Sequence, residues 1–148
     1  DLIYAIALFE HIENPKDFIS DLYKSLNKNG KIIIQLPNPI SINCLISNLF
    51  SKHSWDMFTE PGHVAHYTKK DLNKLFEMAN FKLKYYGTST IRVRGKIPFI
   101  PGRSLTIEKK LQKLTLNSKL FMFFYTYFLK IIDFFNLGDT QILIYEQK

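Results

Sequence analysis

The strongest constraint in this 148-residue chain lies in its first 36 residues. Two short apolar runs, Asp1 to Ala7 and Lys31 to Leu36 (KIIIQL), bracket a segment with helical periodicity. Phe18, Ile19, Leu22, Tyr23 and Leu26 recur at the spacing that puts them on one helix face. Asn14 is placed to cap that helix, Pro15 fits its first position, and Asp17 suits the positive end of its dipole. Gly30 is expected to close it. Strand, helix and strand within so short a span force a parallel crossover, because parallel neighbours cannot be joined by a tight turn. The first run lacks alternation, so it reads as a strand buried on both faces. The carboxyl ends of the two strands, Ala5 to Phe9 and Leu36 to Asn38, then share one edge, where ligands bind in open α/β sheets.

Further elements follow. Thr68 caps a helix from Lys69 to Ala79 whose core stripe is Leu72, Leu75, Phe76 and Ala79, and Asn80 ends it. Phe81 to Thr90 and Thr140 to Glu146 read as strands, making four in all. Residues 91–139 form a long insertion with Pro98, Pro101 and Gly102, then an aromatic run from Leu120 to Phe135. Insertions of this length commonly serve function. No internal repeat or low-complexity tract is present. The chain is one core's worth of residues, 46% of them hydrophobic, which argues for a folded domain.

Charge and cysteine narrow the class. The net charge of +7 is concentrated between Lys82 and Lys119, where ten Lys or Arg meet a single acid, Glu108. That segment either stays a solvated surface or attracts an anionic one. It follows no nucleic-acid-binding module, so no nucleic acid is expected. Cys44 is the single cysteine; it forms no disulfide or zinc pair, and a reducing, cytoplasmic setting suits it. The run from Lys119 to Phe135 is interrupted by Lys130 and Asp133 and is too short to span a bilayer. It either packs as a lid or core helix, or lies at a membrane interface beside the basic stretch.

The order of these residues resembles a family. Asp1, Glu10-His11, Asn14-Pro15, Leu26, Gly30 and Pro37-Asn38 are similar to the fourth strand, following helix and fifth strand of class I S-adenosylmethionine-dependent methyltransferases. The block Gly62-His63-Val64-Ala65-His66-Tyr67-Thr68 resembles that family's His-x-x-x-(Tyr/Phe)-(Ser/Thr) element, with Asn80 where Gly is common. Gly138-Asp139 and the apolar end resemble its closing antiparallel strand. The nearest type is the ubiquinone-biosynthesis O-methyltransferases. The resemblance implies a Rossmann-like α/β sheet, parallel except for its last strand, carrying a helical insertion over 91–139 between a 1–90 body and a 140–148 strand.

It also implies S-adenosylmethionine as cofactor, with the backbone of Ala5, Ile6 and Ala7 lining its methionine end. The family's glycine-rich loop and ribose-binding acid have no counterpart in this sequence. The chain is therefore expected to be a C-terminal portion, inactive alone, with an exposed strand edge that favours self-association. His11, Glu10 and His66 are the candidate catalytic groups, placed to orient or deprotonate a small-molecule or lipid-like acceptor. His63, Tyr67 and Trp55 are candidate substrate-pocket walls, with Phe58 beside Trp55 in a lid or core. Some ubiquinone-type relatives bind a divalent metal through Glu-x-x-Glu-His; the first Glu is Ala7 here, so no metal is expected. Nor do His63 and His66 alone make a zinc site. The alternative to an enzyme is a non-catalytic membrane-surface or partner-binding module.

Overall fold

A computed structural model of the chain describes residues 1–42, 44–45, 62–89 and 119–148. Trp55, Phe58 and most of the 91–139 insertion lie outside the described residues. The described chain runs β1 (Leu2–Ile6), a short 3-10 turn (Phe9–His11), α1 (Pro15–Ser25), β2 (Lys31–Pro37), α2 (Lys69–Met78), β3 (Phe81–Ser89), α3 (Lys119–Phe134) and β4 (Thr140–Gln147). Its four strands make one sheet in the order β1-β2-β4-β3. β1 and β2 are parallel, and β4 inserts antiparallel between β2 and β3. The expected crossover and the antiparallel closing strand are both present.

Local chemistry sets the element ends. The Asn14 side chain accepts from the Asp17 amide, and Pro15 opens α1. At α2, Thr68 and Asp71 form a reciprocal capping box. Thr68 also donates through its hydroxyl to Asp71, holding that carboxyl below its ordinary range. Asn80 leaves α2 in the left-handed region at φ 62°, the conformation for which Gly is usual and Asn the common substitute. Asn136 does the same after α3, at φ 57°.

The termination of α1 differs from the sequence expectation. The helix stops at Ser25, and Gly30 sits in the following turn, where the left-handed residue is Asn29 at φ 65°. Gly30 is needed for space: a Cβ there would stand 2.8 Å from the Asn27 carbonyl oxygen.

One face of the sheet carries the core. Ile32, Ile34 and Leu36 on β2 point the same way as Leu143 and Tyr145 on β4, and Ile19, Leu72, Phe76 and Phe81 close over them. Phe76 stacks on Tyr145 with ring centroids 4.1 Å apart. Burial raises the Tyr145 hydroxyl well above its ordinary pKa. The opposite face is less covered, which overturns the expectation that β1 is buried on both faces. Leu2, Tyr4 and Ile6 are 46%, 60% and 58% exposed, whereas Ala5 is buried beside Ile34. An apolar run without alternation does not reveal which of its faces finds a neighbour.

Two buried amides tie the sheet's far ends together. The Asn38 side chain donates to the carbonyls of Asn136 and Gly138 and accepts from the Ile40 amide. Gln141 donates to the Pro37 and Tyr67 carbonyls. Each satisfies carbonyls at the carboxyl end of β2, the end at which the candidate site stands.

Candidate functional site

β1 ends at Ile6, and the chain turns at once. Ala7 adopts φ 48°, a left-handed conformation that costs a residue with a Cβ about 1 kcal/mol, while its amide donates to the Gln35 carbonyl at 2.8 Å. This sharp turn delivers Phe9 into the core and sets Glu10 and His11 at the carboxyl edge of β1 and β2. Strained backbone of this kind concentrates at functional sites.

The second half of the site comes from residues 62–67. The Val64 amide donates to the Glu10 carbonyl at 2.9 Å, and the Ala65 amide approaches the same oxygen at 3.3 Å. His11 Nδ1 donates to the Gly62 carbonyl at 2.8 Å, since a carbonyl can only accept. In the neutral imidazole, this bond leaves Nε2 as the basic atom. Gly62 reaches φ +99°, which glycine adopts without steric cost. The ring of His63 meets that of His11 edge-to-face at 4.8 Å, and His66 stands 6.2 Å beyond His63.

Glu10, His11, His63 and His66 are thus brought to one place. Glu10 is only 3% exposed, and its Oε2 has no hydrogen-bond partner among the described residues. A buried carboxylate oxygen without a donor is costly, so a donor or cation supplied by a ligand would stabilise it. The donor atoms of Glu10, His11 and His63 lie within 4.8 Å of one another. One carboxylate and two imidazoles offer three donors to one cation, or a relay for one proton. The sequence expectation of no metal rested on Ala7 replacing a carboxylate; the fold brings His63 to the same spot, which spacing along the chain did not reveal.

The other expected site residues differ in burial. Tyr67 turns its ring against Phe9, 5.5 Å away, and burial raises its hydroxyl's pKa; it packs the floor of the site as part of the core margin. Of the three residues expected to line a cofactor, Ala5 is buried toward the core while Ile6 and Ala7 are exposed. Gly62, Asn38 and Gln141 were not singled out as site residues. Gly62 carried a usable signal, a glycine directly before the His63 block. Asn38 stands in the Pro37-Asn38 pair of the resemblance, but the clasp that either amide makes was not legible, because its partners lie 74 to 104 residues away. Cys44 is buried beside Ser41, and burial raises its thiol's pKa, which disfavours the nucleophilic thiolate.

An open α/β sheet with a parallel crossover, an antiparallel strand set between its neighbours, and polar side chains gathered past the carboxyl end of the first strand defines a Rossmann-like domain. Residues 1–85 match the family model described as methyltransferase domain, and the chain belongs to that family. Over 93 residues it is 27% identical to the mitochondrial ubiquinone biosynthesis O-methyltransferase of Dictyostelium discoideum, a match covering 56% of this chain and 26% of that protein.

Two solved structures share the fold. One is an S-adenosylmethionine-dependent methyltransferase from Archaeoglobus fulgidus, with TM-score 0.55 and 17% identity over 99% of this chain and 59% of that one. The other is such an enzyme from Mesorhizobium loti, with TM-score 0.52 and 10% identity over 99% and 61%. The chain therefore spans about a quarter of the curated relative and about three-fifths of these structures.

Proposed function

We infer that the protein containing this chain transfers a methyl group from S-adenosylmethionine to an oxygen, nitrogen or carbon nucleophile of a small-molecule or lipid-like acceptor. Membership of the methyltransferase domain family supports the reaction class. The observation that carries the site is the convergence of Glu10, His11 and His63 beside the left-handed turn at Ala7. The residues present suit one flank of the cofactor: Ile6 and Ala7 are exposed at the strand end, and Ala7 places only a methyl group in a ligand's way. When bound, the cofactor supplies an electrophilic methyl carbon on a sulfonium.

The chain's own residues then handle the acceptor. Glu10 Oε2 accepts a hydrogen bond from the nucleophile and fixes its approach. His11 Nε2 takes the proton released as the nucleophile's lone pair forms the new bond and the carbon–sulfur bond breaks. The Gly62 carbonyl keeps the imidazole in the tautomer that does this. His63 backs the His11 ring, and His66 extends the polar wall. Most of the acceleration comes from proximity and orientation. A reducing, cytoplasmic setting is compatible with the free thiol at Cys44.

Titrating S-adenosylmethionine into the ¹⁵N-labelled chain tests the reading. Binding at the strand end shifts the amides of Ile6, Ala7 and Glu10 even at a Kd near about 1 mM, which corresponds to about −4 kcal/mol. Cofactor-dependent shifts confined to residues away from this strand end would overturn the placement, whereas no shift anywhere would mean that binding needs the glycine-rich loop that this sequence lacks. Zinc titration watched through the histidine ring signals separates proton handling from a metal site: proton handling requires that no stoichiometric ion bind at His11 and His63.

A further inference from the structure

The face of α3 that the sheet does not use is apolar along its whole length. Leu120, Phe123, Phe124, Tyr127, Phe128, Ile131, Phe134 and Phe135 are between 41% and 79% exposed. At about 100° per residue they fill one arc of roughly 140°, while Leu129 and Ile132, both buried, point the other way. The helix is fixed in that orientation: it packs on β3, and its end is clasped by Asn38 through the carbonyls of Asn136 and Gly138. Contiguous exposed apolar surface of this extent marks a contact site.

Charge identifies what it contacts. Lys119 and Lys130, both exposed, fall together on one border of the apolar arc, where long cationic side chains reach out while their stems lie on apolar surface. The sequence entering the helix adds Lys109, Lys110 and Lys113, with no acid from Lys109 to Lys119. A cationic border beside an aromatic face complements an anionic lipid surface, with rings at the acyl boundary and ammonium groups among the headgroups. At 16 residues the helix is about 24 Å long, and no described helix is long and apolar enough to cross a membrane, so α3 would lie in the interface plane.

We propose that α3 docks the protein peripherally onto anionic membranes through the Leu120–Phe135 stripe and its lysine border. This stands independently of the methyl-transfer reading. If both hold, the stripe brings a site anchored to the same sheet edge within reach of an acceptor dissolved in the bilayer.

Flotation of the chain with vesicles of phosphatidylcholine alone, or mixed with phosphatidylglycerol, tests it. The expected result is binding to the mixed vesicles at low salt, weakened by added salt. Lys119→Glu with Lys130→Glu weakens it by about tenfold or more, and Phe123→Ser with Phe124→Ser abolishes it. These side chains are exposed, so circular dichroism of the variants should match the parent. No binding at low salt overturns the proposal, as does equal, salt-insensitive binding to neutral vesicles. A chain whose light-scattering mass is dimeric, falls to monomer in Phe123→Ser with Phe124→Ser, and ignores vesicles shows the stripe to be an interface between copies, and also overturns it.

Discussion

The two faces of the sheet obey different rules. On the helix-covered face, Ile32, Ile34, Leu143 and Tyr145 meet Ile19, Leu72 and Phe76, and all seven are buried. On the other face, Leu2, Tyr4 and Ile6 of β1 stand in the open, with Tyr85 of β3 also exposed. The same residue types occur on both. What differs is how much cover the described elements supply: α1 and α2 close over the first face, whereas α3 packs against β3 and leaves Leu2, Tyr4 and Ile6 of β1 open. Burial energy therefore concentrates on one side of β2 and β4, while the polar residues of the candidate site gather at the sheet's end, outside that core.

Truncating Phe76 probes the packed face hardest. Phe76→Ala removes the stack on Tyr145 and should cost about 3–5 kcal/mol, read by urea unfolding. Tyr4→Ala on the open face should cost under about 1 kcal/mol. Equal losses would break the contrast between the faces.

Asn38→Ala comes next. It leaves the buried carbonyls of Asn136 and Gly138 without their donor and should cost about 1–3 kcal/mol. The same denaturation assay checks it, and an unchanged midpoint would deny the clasp.

Thr68→Ala removes the capping box of α2 and should cost about 1 kcal/mol. The pH dependence has a definite sign. Asp71 is held below its ordinary carboxylate pKa in the fold by Thr68, so its contribution is present above that ordinary value and is lost as pH falls through the depressed one. Unfolding midpoints between pH 6 and pH 2 should thus fall less in Thr68→Ala than in the parent.

Smallest of all is Tyr145→Phe. The hydroxyl is buried with no hydrogen-bond partner among the described residues, so losing it should leave stability within about 1 kcal/mol or raise it. A large loss would mean that the hydroxyl has a partner, and that the packed face is less purely apolar than its composition suggests. His11→Ala speaks to chemistry. In the protein that carries the activity, turnover should fall by about 10²-fold or more if Nε2 is the base. Turnover unchanged within a few fold would remove that role.

The comparison also shows what was legible in advance. Asn14, Pro15, Thr68 and Asn80 announced element ends because a cap is a contact between residues two to four apart. Glu10, His11, His63 and His66 were recognisable as candidates from their blocks. Their meeting was not, because His11 and Gly62 are 51 residues apart. Tyr67, adjacent to those histidines, packs its ring against Phe9 at the core margin.

By itself, then, the sequence determined the strands, helices and caps and the family resemblance, all of which rest on short-range stereochemistry and the period of apolar residues. Only the tertiary structure decided which face of β1 found cover, that Asn29 rather than Gly30 takes the left-handed turn, that His63 joins Glu10 and His11, and that the aromatic side of α3 faces outward. Those outcomes depend on which surfaces the chain's path brings together, and a linear pattern encodes the appetite of each surface for a partner without encoding the partner.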